Sequence, residues 1–249
     1  MKRYIVSDLK RIAKRVPRWI LAGLTLIVPV VICLVIMLTA KEPTTGSSYA
    51  TIAKTALSLC IMLFGLYEIV YVYGDDFKAK SMQIAIGSGI SRPRVVTSKW
   101  LLVMILVAAD TFVLTILLTI VGAIFSAGFA MTDFAGMLYC GSGTWLMTVA
   151  IIGLASIVMF AAQAIGLGVL LYLAVQCGLI EQILDLITSI AKLEKLHLSS
   201  YELYSMCELF EARLELGNIH FASLIGIIIY MAASFLLSIT VFKHKELEF

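Results

Sequence analysis

Two carboxylates, Glu68 and Asp110, stand inside long apolar runs, where an ionised group needs a reason to exist. Asp110 lies ten residues past Trp100 in a run ending near Phe125, about 15 Å along a helix at ~1.5 Å per residue. That depth is near mid-membrane, where an isolated charge costs at least ~2.5–3.5 kcal/mol. It must face a cavity, find a partner or stay protonated. One reading is a polar contact in a transport path or dimer seam. The other is a carboxyl hydrogen-bonded to Thr111, Thr115 or Tyr67. Glu68, beside Tyr67, Tyr71 and Tyr73, reads as an interfacial charge in an aromatic belt. Other chemistry is missing. His197, His220 and His244 are dispersed with no ligand spacing, so no metal site is expected. No serine or threonine has a recognisable base partner, so no catalytic residue and no enzyme activity are expected. No G-x-x-x-x-G-K-[ST] loop is present for ATP.

The elements around these residues are apolar helices. Of 249 residues, 61% are hydrophobic and 14% charged, with a mean hydropathy of +1.01. That is more apolar surface than a soluble domain of this length can hide. Runs of about 20 apolar residues cross ~30 Å of hydrocarbon as helices. Six spans follow, at about Trp19–Ala40, Thr55–Tyr73, Trp100–Phe125, Gly143–Ala162, a fifth from a turn near Gln163–Gly166 to about Leu179, and Phe221–Phe242. Met1–Arg18 reads as one amphipathic helix on the membrane surface. Residues 180–219 are amphipathic: Ile180, Ile183, Leu184, Ile187 and Ile190 recur at helical spacing beside Glu181 and Asp185. The chain is thus read as an all-α polytopic membrane protein forming a single transmembrane domain. Its five cysteines show no paired spacing, although Cys140 and Cys207 fall on one side and could bridge.

Lysine and arginine placement sets the topology. With the amino terminus inside, the leader, residues 74–99 and the tail hold 14 of the 19 basic residues on the cytoplasmic side. Residues 180–219, with seven acidic and three basic groups, suit the outer face. Both termini are then cytoplasmic. A formal charge of +3 is too small to indicate nucleic acid.

Residues 74–99 read GDDFKAKSMQIAIGSGISRPRVVTSK. Taken alone this is a basic loop able to hold anionic lipid, with Ile84, Ile86 and Ile90 as an apolar ridge. Its order also resembles the signature of ABC-2 type transporter permeases, an acidic residue, Gly-Thr, an apolar turn, Pro-Ile-Ser-Arg and a later lysine. Asp76 takes the acidic position and Lys80-Ser81 stand at Gly-Thr. Gly89 replaces the proline, Ile90-Ser91-Arg92 match, and Lys99 follows seven residues on. The resemblance extends to the whole layout of leader, six spans, outer amphipathic stretch and short basic tail.

That resemblance implies a function. Asp75, Asp76, Phe77, Lys80, Ser81, Ile90, Ser91, Arg92 and Lys99 would form a cytoplasmic coupling element docked on a separate ATPase. ATP and magnesium would be held there, with no cofactor on this chain. Two ATPase subunits and a second permease, identical or paralogous, would complete the exporter. Apolar spans suit a hydrophobic or amphipathic cargo such as an antimicrobial or toxin peptide or a drug, moved out through a bacterial cell membrane. Residues 180–219 would rest on the outer leaflet or cover the exit. The contrasting expectation is an ion-coupled transporter or channel that uses Asp110 and Glu68 without an ATPase.

Overall fold

The fold is seen in a computed structural model, which describes residues 2–40, 44–74, 77, 81–190, 198–215 and 218–245. Among these residues it is helical, with no strand beyond one isolated bridge between Thr45 and Ala127. The elements are α1 (Lys2–Ala13), α2 (Val16–Thr39), α3 (Gly46–Ile69, continued by a π-helical turn Val70–Gly74), α4 (Ser81–Gly87), α5 (Arg92–Phe125), α6 (Met131–Ala162), α7 (Ile165–Gln176), α8 (Leu179–Ile190), a 3₁₀ turn Leu198–Tyr201, α9 (Leu203–Glu215) and α10 (Phe221–His244).

Five of these, α2, α3 with its π turn, α5, α6 and α10, are long and apolar enough to cross a membrane. The sixth expected span is broken. Helices α7 and α8 are bent by 66° at Cys177-Gly178, and α7 alone, at 12 residues, reaches only about 18 Å. Gly178 takes the left-handed conformation (φ 66°) that such a break requires. The long helices start earlier than the apolar runs. Helix α3 begins at Gly46 rather than Thr55, α5 at Arg92 rather than Trp100, and α6 at Met131 rather than Gly143. Hydropathy marks only the hydrocarbon-facing part of a helix. Helix α6 is capped earlier, where the Asp133 carboxylate accepts the Ala130 N–H at 2.9 Å.

The leader is not one helix. Helix α1 stops at Ala13, ahead of Pro17 in the first turn of α2, and Arg18 belongs to α2. Nor does α1 simply lie on lipid. Asp8 and Ile12 are buried against the bundle, while Val6 and Leu9 face outward.

Contacts place both chain ends at one end of the bundle. Asp8 on α1 and the carboxyl end of α10 both meet the first part of α5. At the other end, Gly46 donates to Ala127 O at 2.9 Å, tying the start of α3 to the end of α5. Helices α3 and α6 are the most enclosed spans, whereas α2 and α10 bury only 17% of their apolar windows. Helix α2 touches the bundle through one stripe, Arg18, Ala22, Pro29 and Cys33. Its other side is aliphatic and suits lipid.

Small residues bring α6 close to its neighbours. A Cβ at Gly153 would lie 2.7 Å from Ser234 Oγ, and one at Gly168 would lie 2.1 Å from Met159. Ser156 and Ser238 hydrogen-bond at 2.8 Å across the α6–α10 contact. The expected turn between the fourth and fifth spans is present, with Gln163 at φ 52°.

Candidate functional site

Three features carry the polar residues of this apolar bundle. The first is a buried charge cluster. Arg18 donates to Glu68 Oε1 from Nη2 at 2.5 Å and from Nε at 3.0 Å. The same Nη2 lies 3.5 Å from Asp110 Oδ2, which also accepts the Tyr67 hydroxyl. The cluster thus joins α2, α3 and α5 through one cation and two carboxylates. Glu68 is fully buried, and its Oε2 has no hydrogen-bond partner among the described residues. Glu68 is therefore not a charge in an aromatic belt. Its apolar surroundings require a counter-ion, and the leader residue Arg18 supplies it. For Asp110 the Tyr67 hydrogen bond is present. One cation, two carboxylates and a phenol arranged in this way can hold charge or a proton.

The second feature is the base of the bundle, which contains the described part of residues 74–99. Asp75, Asp76 and Lys80 lie outside the described residues. Phe77 packs edge-on against Phe160 with ring centroids 6.1 Å apart, and Phe160 meets Phe242. Ser81 opens α4, on which Met82 and Ala85 are buried and Ile84 is 70% exposed. The turn after α4 uses Gly89 at φ 93°, a conformation a proline cannot take. Ile90 packs on the core, and Ser91 is the N-cap residue of α5.

Arg92 has a specific partner. Its Nη1 donates to Phe242 O, Lys243 O and Lys245 O at 3.2, 2.7 and 2.7 Å. One guanidinium thus satisfies the orphan carbonyls at the end of α10. Lys99 is not on an open surface either. It is fully buried, 2.5 Å from Asp8 Oδ2, with the Tyr4 ring 5.6 Å from its ammonium. Of the expected coupling residues, Phe77, Ile90, Arg92 and Lys99 face the bundle to some degree. The outward apolar group is Ile84, from the ridge seen in the sequence.

The third feature was not foreseen. A cavity of about 590 Å³ opens between α3, α6, the end of α7 and α9. Thr51, Lys54, Thr55, Ser58, Thr144, Gln176, Tyr204 and Glu208 line it together with Met62 and Met147. It lies beside the α7–α8 break, where non-helical backbone at membrane depth needs protein or water around it. The signal for it was a hydroxyl at helical spacing along α3, Thr51, Thr55 and Ser58, in an otherwise apolar run.

None of the five cysteines is disulfide-bonded, so Cys140 and Cys207 form no bridge. Cys140 instead lies 3.6 Å from Ser58 Oγ. Among the described residues no group of histidine, cysteine and carboxylate side chains is placed to hold a metal. No protein-family model matches the chain, and no curated protein is similar enough to match it.

Proposed function

We propose that this chain is the membrane-spanning subunit of an ATP-driven exporter of the ABC-2 type. The observation that carries this reading is α4. A separate seven-residue helix sits between the second and third long helices, at the end of the bundle rich in lysine and arginine. It offers one exposed isoleucine, Ile84, in a segment whose sequence carries charge on both sides, which is the composition of a small rim-and-core contact. The basic end is then cytoplasmic, and two ATPase subunits holding ATP and magnesium dock there. A second copy or a paralogue completes the path. The cargo is hydrophobic or amphipathic, a peptide or drug leaving a bacterial cell through its cell membrane.

The test is co-expression with a candidate ABC ATPase subunit, with a tag on the chain alone. Ile84→Asp is expected to lower co-purified ATP hydrolysis at least tenfold while leaving the amount of folded chain unchanged. Undiminished ATPase recovery would sink the coupling assignment.

The buried, unpartnered Oε2 of Glu68 motivates a second reading, ion-coupled transport through Glu68 and Asp110. It requires flux by the purified chain alone in vesicles under a pH gradient. The exporter reading requires none without ATPase.

A further inference from the structure

We infer that the cavity between α3, α6, α7 and α9 is a binding site for an amphipathic organic cation, an ammonium or guanidinium carried on an apolar body. The inference rests on the exporter reading only in calling this ligand cargo; the site itself is argued from its lining.

The cavity has the volume of a small-molecule site, and its polar groups are mostly of one kind. Thr51 Oγ1 donates to Ser47 O at 3.1 Å and Thr55 Oγ1 to Thr51 O at 3.2 Å. A hydroxyl has one hydrogen and two lone pairs, so back-bonding to the preceding turn takes up the donor and leaves an acceptor. The Gln176 carboxamide oxygen has no partner among the described residues. Glu208, on α9, adds a carboxylate. An acceptor-rich wall is matched by a ligand that donates.

The rest of the lining fits the same ligand. Met62 and Met147 are polarizable and adaptable, and Tyr204 presents an aromatic ring that attracts cations. Tyr204 lies near the α7–α8 break, 3.5 Å from where a Cβ of Gly178 would stand. Gln176 ends α7 directly before that break, so the aromatic ring and the amide oxygen gather at one end. Lys54 contributes the opposite charge, but its ammonium sits near α6 at Gly136, 3.3 Å from an added Cβ. A bound cation therefore lies toward Gln176, Tyr204 and Glu208, away from Lys54.

Equilibrium binding to the purified chain in nanodiscs, with no ATPase present, tests this. The probes are a dansylated alkyl-trimethylammonium and the dansylated alkyl sulfonate of equal chain length, in phosphatidylglycerol discs. The cation is expected to saturate one site and to bind at least tenfold tighter than the sulfonate. Glu208→Gln and Gln176→Leu should each weaken it, Glu208→Gln by about tenfold, the loss of a charged partner at a half-open site. Competition on adding phosphatidylethanolamine would assign the ammonium to a lipid headgroup, whereas no competition would assign it to a soluble amphiphile. Either outcome keeps the cation site. Equal affinity for the two probes, or unchanged cation affinity in both weakening variants, would overturn it. Failure here leaves the Ile84 ATPase result untouched, so the two readings fall separately.

Discussion

Removal of single members of the Arg18–Glu68–Asp110 cluster should destabilise the chain in a fixed order. Arg18→Met removes the cation and leaves two carboxylates in one apolar site. Breaking a buried pair from one side costs about 3–5 kcal/mol, and the second carboxylate puts this variant at the upper end. Glu68→Gln still leaves Arg18 beside Asp110, 3.5 Å away, and keeps a hydrogen-bond acceptor. Its loss is nearer that of one charged hydrogen bond, about 1.5–3 kcal/mol. Asp110→Asn retains an acceptor for Tyr67 and the Arg18–Glu68 pair, and should cost the least. At roughly 2–4 °C per kcal/mol for chains of this length, Arg18→Met lowers the melting temperature by about 10–20 °C and Glu68→Gln by about 3–12 °C. The protein carries its own reporter, since Cys33, Cys60, Cys140 and Cys207 are buried cysteines and Cys177 is exposed. In a Cys177→Ser background, a thiol-reactive dye reads unfolding directly. A triple variant, Arg18→Met with Glu68→Met and Asp110→Asn, should recover most of the loss, because apolar groups replace a desolvated charge set at little cost. If Glu68→Gln proved as damaging as Arg18→Met, or the triple variant no better than Arg18→Met, the cluster would not join α2, α3 and α5 through its charges.

Other outcomes follow from single contacts. Arg92→Ala should free the end of α10, raising hydrogen exchange over residues 238–245 by about tenfold, and Arg92→Lys should rescue it, because all three carbonyls accept from one nitrogen and an ammonium also offers three donors. Gly65→Ala places a methyl 2.3 Å from Tyr172 Oη and 2.6 Å from Thr148, so melting should fall by several degrees, while Gly166→Ala, with open space around it, should change little. Glu202 lies outside the long spans, and burial raises its carboxyl above the usual 4.5 despite N–H donors from Tyr204 and Ser205. A raised folded-state value means stability present at acid pH and lost as pH rises through it. Protection factors over α9, which remove the intrinsic pH dependence of exchange, should therefore fall above about pH 4.5 in the native chain and stay level in Glu202→Gln.

The apolar runs were legible because lipid-facing positions leave a continuous signal, and the turn at Gln163 was marked by a polar break. Helix starts were misjudged at Gly46, Arg92 and Met131, since hydropathy ends where a helix leaves the hydrocarbon and its hydrogen bonding does not. Arg18 was hidden among seven basic residues of the leader, and only the fold selects the one that enters the bundle. Lys99 was misjudged likewise, its partner Asp8 lying 91 positions away. The cavity escaped notice because its hydroxyls are individually ordinary in a membrane helix. Only the bend after Gln176 brings α9 opposite them.

The clamp made by Arg92 also bears on how the chain is assembled. Arg92 emerges from synthesis 150 residues before Phe242, so during insertion its guanidinium has no carbonyls to hold and the base of α5 is unfinished. Only arrival of the last helix closes the base, which makes α10 the step that licenses the finished bundle. A chain stopped before Phe221 would insert its earlier helices yet present an open, charged seam to quality control.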